Sequence, residues 1–171
     1  MISIIAAKTK NNVIGVNNTL PWKQRNDMQR FKSLTYGAEV LMGRKTWDSI
    51  GQKPLPGRYN SVVSRDELFH GRFWQNVAVS DTDYVASDAK YHLQTCEVRD
   101  SDLFVIGGAQ IYEVAMEYAA RLYITELDVE LEGDAFFPTI DMSIWKKIAE
   151  EKYQADVDNE YGYNFITYVR K

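Results

Sequence analysis

One carboxylate lies beside the apolar side of a predicted helix in the segment "PWKQRNDMQRFK", residues 21–32. Asp27 and Met28 stand four and three residues before Phe31, so the three side chains share one helical face. A carboxylate at a helix start is often only a cap or a dipole partner, and this interpretation stays open. If a cleft borders that face, burial would raise the pKa of Asp27 and the helix N-terminus would lower it. The carboxylate could then bind an amidine-like edge of a heterocycle through two hydrogen bonds, beside a flat apolar wall.

Two predicted strand ends carry residues suited to phosphate binding. Gly43 in "LMGRKTWDS" ends a strand, and Arg44 and Lys45 then open a helix. Cations at a helix N-terminus interact unfavourably with the helix dipole, and each destabilises the helix by a few tenths of a kcal/mol. An anion bound between them would reverse this effect. The alternative is two solvated surface cations. The paired glycines Gly107 and Gly108 in "VIGGAQIY" would bring backbone N–H groups to a phosphate, or would form an ordinary tight turn.

A third strand end and one loop add further cations. Ser64 and Arg65 follow the strand in "VVSRD". If Arg65 converges with Arg44 and Lys45, the three cations form a site for an extra phosphate, which favours NADPH over NADH. Arg58 follows the rigid loop "PLPGR" and is suited to a bidentate grip on a carboxylate, although a surface arginine is the more common case.

Alternating strand and helix patterns must position these residues. Apolar runs predict strands at 2–7, 39–43, 60–64, 77–80, 102–108 and 121–127, and strand-like runs lie around 145–153 and 163–169. Helical patterns cover about 25–34, 44–50, 81–96 with Asp81 as a possible cap, and 109–118. This alternation predicts an α/β fold with a doubly wound, mainly parallel sheet and antiparallel C-terminal strands. Ligands bind beyond the carboxyl ends of the strands in such sheets.

Length, composition and charge bound the class of protein. A chain of 171 residues with 45% hydrophobic residues predicts one globular domain over 1–171. The net charge of −4 argues against a dedicated nucleic-acid binder. No apolar run approaches the roughly 20 residues that a membrane span needs, and "MISIIAA" does not read as a signal peptide. Cys96 is the only cysteine and His70 and His92 are the only histidines, so we expect no disulfide, no metal site and a reducing cytoplasm.

The ordered motifs resemble those of the dihydrofolate reductase family, in its bacterial or phage form, over essentially the full chain. They are "ISIIAA", "VIG" (13–15), "LPW" (20–22), "DMQRFK", "VLMGRKTWDSI", "PLPGR", "VIGGAQIY" and "LYITELDVELEGDAFFP". The stretch 66–101 carries the least of this signal. The resemblance implies an eight-stranded sheet with four flanking helices. It also implies NADPH-dependent reduction of 7,8-dihydrofolate to 5,6,7,8-tetrahydrofolate, a reaction that supports one-carbon metabolism and thymidylate synthesis. The resemblance further implies that the protein is a target of antifolates.

The resemblance further implies roles for the residues of the substrate site. Asp27 would hold the pterin ring nitrogen and amino group and assist protonation of the imine through water, with Trp22 and Thr125 supporting that network. Leu20 would close over the nicotinamide on a mobile loop, residues 11–24. Arg58 would grip the glutamate tail, with Lys32 near it. The folate slot would be lined by apolar side chains: Ile5, Ala6, Ala7, Met28, Phe31, Ile50, Leu55 and Ile106.

The cofactor site follows from the same resemblance. NADPH would be bound by Ala7, Ile14, Gly15, Asn18, Leu20, Gly43, Arg44, Lys45, Thr46, Ser64, Arg65, Gly107, Gly108, Ala109, Gln110, Ile111 and Tyr112. Within this set the Gly107–Gly108 peptide bond would be cis, and Gly15 is a candidate pivot of the mobile loop.

Two other functions fit parts of the pattern. A related pterin or pyrimidine reductase would share the fold, and Arg58 discriminates because only a substrate with a carboxylate tail needs it. A non-catalytic folate- or nucleotide-binding module is a different class, and Asp27 argues against it because a binder needs no proton route. We expect a monomer that acts on a small molecule, without nucleic-acid or membrane partners.

Overall fold

The computed structural model describes residues 1–66, 69, 84–99 and 102–171 of the chain. Eight strands form its main sheet: β1 Ile2–Thr9, β3 Glu39–Gly43, β4 Tyr59–Val63, β5 Tyr84–Ala86, β6 Leu103–Gly107, β7 Arg121–Leu127, β9 Trp145–Tyr153 and β10 Tyr163–Arg170. They lie side by side in the order β5-β4-β3-β6-β1-β7-β10-β9. A separate two-stranded sheet pairs β2, Val13–Gly15, with β8, Ala135–Phe136.

The strand directions confirm the predicted sheet. The six strands from β5 to β7 in this order run parallel to one another. β10 is antiparallel to both of its neighbours, β7 and β9, so one C-terminal strand reverses the direction. Ile4, Leu41 and Ile124 have no exposed surface, as expected for parallel strands that are covered on both faces.

Four helices among the described residues flank this sheet: α1 Arg25–Thr35, α2 Arg44–Ser49, α3 Ala89–Arg99 and α4 Ala109–Ala115. Leu93 of α3 and Ala115 of α4 belong to the same apolar cluster as Ile4 and Val105. Trp47 of α2 packs instead in a second cluster that includes Met42. The strand residues of this second cluster alternate along the strands with those of the first cluster, so they face the opposite side of the sheet. The helices therefore cover both faces, which confirms the doubly wound arrangement.

α1 lies on the same face as α2. The guanidinium of Arg30 donates from Nη1 to the Ile124 carbonyl at 3.2 Å and lies 4.4 Å from the ring centroid of Phe165. Thr35 near the helix end donates its hydroxyl to the Phe31 carbonyl at 2.8 Å. The helix stops at Tyr36, whose backbone is extended. The chain therefore turns back into β3 at this point.

The expected helix over 81–96 is wrong. Residues 84–86 form strand β5, which pairs with β4 through Val63 and Ala86, and the helix covers Ala89–Arg99. Asp88 caps it, since the Lys90 N–H donates to Asp88 Oδ1 at 2.8 Å. The proposed cap Asp81, the strand at 77–80 and His70 lie outside the described residues.

Other differences from the expected elements are small. The helix expected over 109–118 ends at Ala115 and is followed by a turn. The short pair β2 and β8 was not predicted, because two or three residues carry too little periodicity to identify a strand. Among the described residues, no helix has both the length and the apolar character needed to cross a membrane.

Candidate active site

Asp27 lies in the first turn of α1, where its carboxylate hydrogen-bonds to the Thr125 side chain of β7. The residue at the N-cap position is Gln24, so the interpretation of Asp27 as a cap is wrong. Burial raises the pKa of Asp27 above its usual value. The hydrogen bond to Thr125 and the positive charge of Arg30 lower this pKa only in part. Asp27 is therefore a half-buried acid whose pKa lies above that of an exposed aspartate.

Arg30 is a charged neighbour of Asp27 that sequence reasoning missed. Its Nη1 lies 3.5 Å from Thr125 Oγ1 as well as 3.2 Å from the Ile124 carbonyl oxygen. Burial lowers the pKa of Arg30, and the charge of Asp27 opposes that shift. A guanidinium remains charged at every ordinary pH, so Arg30 places a permanent positive charge on the sheet side of α1.

A cleft of about 370 Å³ opens beside Asp27. Its lining includes the apolar side chains of Leu20 and Met28, each 53% exposed, next to the ring of Trp22. The indole Nε1–H of Trp22 is buried and has no hydrogen-bond partner among the described residues. A cleft with an apolar wall, one half-buried acid and one unpaired donor is typical of a site for a small flat molecule with a polar edge.

The start of α1 is attached to the segment before β10. The Gln24 side chain donates to the Tyr161 carbonyl at 3.1 Å and accepts from the Tyr161 N–H at 2.9 Å. The Asn26 N–H donates to Asn159 Oδ1 at 3.0 Å, and Asn26 Nδ2 donates to the Tyr163 hydroxyl at 2.6 Å. These bonds join residues more than 130 positions apart, and they fix the first turn of α1 and thus the position of Asp27.

The apolar residues expected to line the slot lie mainly on one face of the sheet. Ile50, Leu55 and Ile106 pack around Trp47 in one cluster, and Ala7 packs in a cluster with Trp22 and Phe165. Met28 and Phe31 project from α1, which covers this same face. These residues thus share one face of the sheet, and the folate slot between them stays a prediction.

One of the expected substrate residues is placed differently. Ala6 alternates with Ile5 and Ala7 along β1, and its side chain packs in the core of the opposite face. The expectation that its side chain lines the slot is therefore wrong, because successive strand residues point to opposite faces. Lys32 is exposed on α1.

Arg58 lies beside the outer end of this slot. Its Nε donates to the Pro56 carbonyl at 3.0 Å and its Nη1 to Thr35 Oγ1 at 3.3 Å, with the guanidinium carbon 5.7 Å from the Phe31 ring centroid. Asn60, another residue that sequence reasoning missed, holds the preceding loop, since its side chain bonds both the N–H and the carbonyl of Leu55. The loop therefore presents Arg58 towards α1 in a defined orientation.

The two glycine-bearing strand ends meet. β3 and β6 are adjacent and parallel, and a Cβ added to Gly43 would lie 3.1 Å from Ile111 Cγ1 and 3.7 Å from the Gly108 nitrogen. A Cβ on Gly107, whose φ is +126°, would meet Thr46 Oγ1 at 3.4 Å. The Gly107–Gly108 peptide bond is cis, which confirms the expectation. Glycine at 43 and 107 therefore lets β3, β6 and the residues that follow them pack closely together.

The expected phosphate cations surround the ends of β3 and β4. Arg44 lies with Nη1 3.8 Å from Asp66 Oδ2, and the Asp66 N–H donates to Ser64 Oγ at 3.1 Å. Lys45 and Arg65 are exposed. Asp66 was not considered in the sequence reasoning, and its carboxylate reduces the positive potential at Arg44.

The remaining expected cofactor residues lie in β2, its following turn and α4. Ala109 and Gln110 are the first residues of α4. Ile14 of β2 is partly buried and packs against the core. The Tyr112 hydroxyl of α4 donates to the Ile5 carbonyl at 3.0 Å. Tyr112 is deeply buried, and burial raises the pKa of its phenol. It therefore fixes the backbone of β1 as a neutral hydrogen-bond donor.

The segment after β2 forms a tight turn over residues 16–19. Asn17 and Asn18 have φ of 47° and 60°, and paired backbone bonds of 3.0 and 2.9 Å close the turn, as in a type I′ hairpin. Asp134 accepts from the Asn17 N–H at 3.0 Å and donates its own N–H to the Gly15 carbonyl at 3.2 Å. These contacts, which the sequence did not indicate, attach the loop that carries Leu20 to the segment before β8.

Comparisons with known proteins agree with this geometry. A family model described as dihydrofolate reductase matches residues 1–170. The dihydrofolate reductase of Bacillus subtilis (strain 168) is 42% identical over 173 residues, which cover 100% of this chain and 95% of that protein. Dihydrofolate reductase type 3 of Salmonella typhimurium is 40% identical over 172 residues, with 100% and 99% coverage. A solved dihydrofolate reductase from Enterococcus faecalis, complexed with NADP(H) and RAB-propyl, superposes with a TM-score of 0.86 at 28% identity, with 100% and 96% coverage.

Proposed function

The chain belongs to the dihydrofolate reductase family and reduces 7,8-dihydrofolate to 5,6,7,8-tetrahydrofolate with NADPH, and we propose that the cleft beside Asp27 is where it does so. The observation that carries this location is the half-buried Asp27 carboxylate, which lies by Thr125 and next to the exposed apolar side chains of Leu20 and Met28. A ring with a polar edge and flat apolar faces fits this combination.

Asp27 binds the polar edge of the pterin in this proposal. Its two carboxylate oxygens accept hydrogen bonds from the ring nitrogen and amino group, which is the strong arrangement for an ionised acceptor. The raised pKa of Asp27 also makes this carboxyl group a better proton carrier than an exposed aspartate. The unpaired Nε1–H of Trp22 supports a water beside the same edge, and that water would carry the proton to the imine.

The apolar walls align the ring for reaction. In this proposal the ring lies between Met28 and Phe31 of α1 on one side and Ile50, Leu55 and Ile106, which pack in one cluster, on the other. Reacting atoms must approach to about 3–3.5 Å, so rigid walls contribute to the rate by limiting other orientations. Ile5 and Ala7 close the inner end, and Tyr112 holds the Ile5 backbone in place.

The strand-end residues fit NADPH. Glycine at 43, 107 and 108 keeps the ends of β3 and β6 free of side chains, so a cofactor could approach the strand ends beside them. Arg44, Lys45 and Arg65, together with Thr46 and Ser64, supply donors and positive charge for phosphates, while Ala109 and Gln110 adjoin the dinucleotide. When bound, NADPH supplies the hydride.

The loop over residues 11–24 would exclude water from the reacting atoms. Leu20 lines the cleft while more than half exposed, so it can move over a bound ring. Ile14, Gly15 and Asn18 would meet the cofactor from the same loop. Asp134 would stabilise one position of this loop through its bonds to Gly15 and Asn17.

Arg58 would bind the carboxylate of the glutamate tail, with Lys32 nearby. Two of its donors already hold it to Pro56 and Thr35, and a guanidinium has five N–H donors in all. The remaining donors can grip a carboxylate in a bidentate way. This role separates dihydrofolate from a pterin or pyrimidine without a carboxylate tail.

Compartment and assembly are further proposals. Cys96 is a free, buried thiol, as expected of a protein from a reducing cytoplasm, and we propose that the enzyme acts there as a monomer over one domain, 1–171. Sedimentation equilibrium tests the monomer directly, since a concentration-dependent mass would contradict it.

The reaction and its location are tested by following NADPH absorbance with dihydrofolate. The wild-type chain is expected to oxidise NADPH, and Asp27→Asn to lose most of the rate at neutral pH. Asp158→Asn is the matched control, because Asp158 lines the same cleft but pairs with Arg25 at the surface. Equal rate losses in both variants would contradict the role of Asp27, and a dihydropterin without the glutamate would distinguish a pterin reductase.

A further inference from the structure

A second cluster of chemically active side chains lies on the opposite face of the sheet from Asp27. His92 Nε2 is 2.7 Å from Glu39 Oε1, and Cys96 Sγ is 3.7 Å from Glu39 Oε2. The His92 and Cys96 side chains also hydrogen-bond to each other. One nitrogen, one sulfur and one oxygen atom thus lie within 4.8 Å of one another, and the reaction described above uses none of them.

The fold brings these three residues together from two elements. His92 and Cys96 are four residues apart on α3 and therefore share one helical face. Glu39 opens β3 and points to the side that Leu41 also faces, which α3 covers. Ser61 Oγ donates to Glu39 Oε1 at 2.6 Å and fixes the carboxylate in place. Such a hydrogen bond to a carboxylate that binds a cation is a common outer contact of metal sites.

From this geometry we infer, against the expectation drawn from the small number of cysteines and histidines, that Glu39, His92 and Cys96 form a three-ligand site for a zinc-class divalent cation. Zinc binds imidazole nitrogen, carboxylate oxygen and thiolate sulfur at about 2.0–2.3 Å, usually in a tetrahedron. The edges of such a tetrahedron are about 3.3–3.7 Å long, so the short contact between Glu39 and His92 must lengthen by roughly 0.6 Å, while all three ligand atoms already lie within 4.8 Å of one another. Thiolate and imidazole select zinc or cobalt over magnesium or calcium.

The site has a route to solvent and space for a fourth ligand. A groove at the edge of the sheet is lined by Glu39, Ser61 and His92, with Asp88, Tyr91 and Thr95 along its rim. A cation can enter through this groove, and a water can complete the tetrahedron from it. Cys96 closes the buried side, since it is 1% exposed.

The position of the cluster separates its effect from the reaction. Glu39 and Gly43 are the first and last residues of β3, about 13 Å apart along the strand, and the cluster lies on the other face. A cation there would join α3 to β3 and stabilise the folded chain without touching the Asp27 cleft. Bound metal is therefore expected to raise Tm and leave kcat unchanged.

Cobalt titration of the reduced, chelator-treated full chain tests this site. Cys96 is the only cysteine of the chain, so a sulfur-to-cobalt charge-transfer band can arise only from its thiolate. We expect that band together with the visible bands of tetrahedral cobalt, one cobalt per chain, and displacement by zinc. Cys96→Ser should lose the charge-transfer band, and His92→Gln should weaken binding at least tenfold.

The matched control is Asp102→Asn, because Asp102 lines the same groove but lies outside the cluster. It should bind cobalt as the wild type does. Thermal melting of the wild-type chain gives a second readout should a variant fail to fold, since zinc should raise its Tm while magnesium does not. No charge-transfer band, octahedral cobalt spectra, or a Tm unchanged by zinc would show that the trio is a hydrogen-bonded cluster only.

Discussion

Replacing Arg58 with leucine is expected to weaken dihydrofolate binding by about 2–3 kcal/mol and to leave NADPH affinity unchanged. Truncating one partner of a buried, hydrogen-bonded charge pair costs roughly 2–5 kcal/mol, much of it from the partner left unpaired. Arg58 is only partly buried, so its loss belongs to the lower part of that range. A loss of this size raises the Kd about 30- to 150-fold.

The contacts of Arg58 explain why the loss should be specific. Its bonds to Pro56 and Thr35 and its contact with the Phe31 ring hold the guanidinium before any substrate arrives. Little side-chain entropy is then lost on binding a carboxylate, and the charge acts at one place. The strand ends that would bind NADPH lie elsewhere, at Gly43 and Gly107.

Equilibrium titrations of both ligands measure the effect directly. Arg121→Leu is the matched control, since it removes the same charge from an exposed position at the start of β7. A dihydropterin without the glutamate should bind wild type and Arg58→Leu equally. Equal losses for dihydrofolate and NADPH, or an equal loss for the tailless compound, would refute the assignment.

Three further variants test the site and its loops. Asp27→Asn should lose rate at neutral pH and recover part of it in acid, where substrate arrives protonated. Burial raises the pKa of Asp27 above 3.8, so its ionisation destabilises the native state. This variant should therefore have a higher Tm than the wild type at pH 7 and lose that gain below about pH 4. Thr125→Val removes a hydrogen bond that lowers the pKa of Asp27, so the acid limb of the pH–rate profile should move to higher pH. Thr125→Ser keeps the hydroxyl, so its acid limb should stay at the wild-type position. Gly57→Ala should lower the free energy of unfolding in urea by about 1–2 kcal/mol, since φ is +70° and its Cβ would lie 2.3 Å from Tyr36. An unchanged Tm, pH profile or urea midpoint, respectively, would contradict these expectations.

The buried strands could be predicted from the sequence because covering both faces forces an uninterrupted apolar run. The strands at 39–43 and 121–127 were predicted with the bounds that the structure has. The helix over 89–99 was misplaced because two of its buried positions, His92 and Cys96, are not the usual apolar markers of a helical face. Its neighbour β5 has three residues, too few for a pattern.

The site was predictable only where its residues are close in sequence. Asp27, Met28 and Phe31 follow from helical spacing, and Gly43 and Gly107 from the ends of strands. Contacts over long separations left no local pattern: Gln24 meets Tyr161 at a separation of 137 residues, and Asn17 meets Asp134 at 117. Such pairs depend on the final strand order, which sequence periodicity does not specify.

The proposed binding of a pterin edge requires Asp27 to ionise, yet burial raises its pKa and favours the neutral form. Two groups behind α1 oppose that effect. The Thr125 hydroxyl donates to the carboxylate. Arg30 places a positive charge next to Thr125 from the sheet side. The contact of the Arg30 guanidinium with the Phe165 ring replaces part of the hydration that Arg30 loses on burial. α1 therefore presents its acid to the cleft and its cation to the sheet. The favourable charge of Arg30 therefore reaches Asp27 from the sheet side of α1.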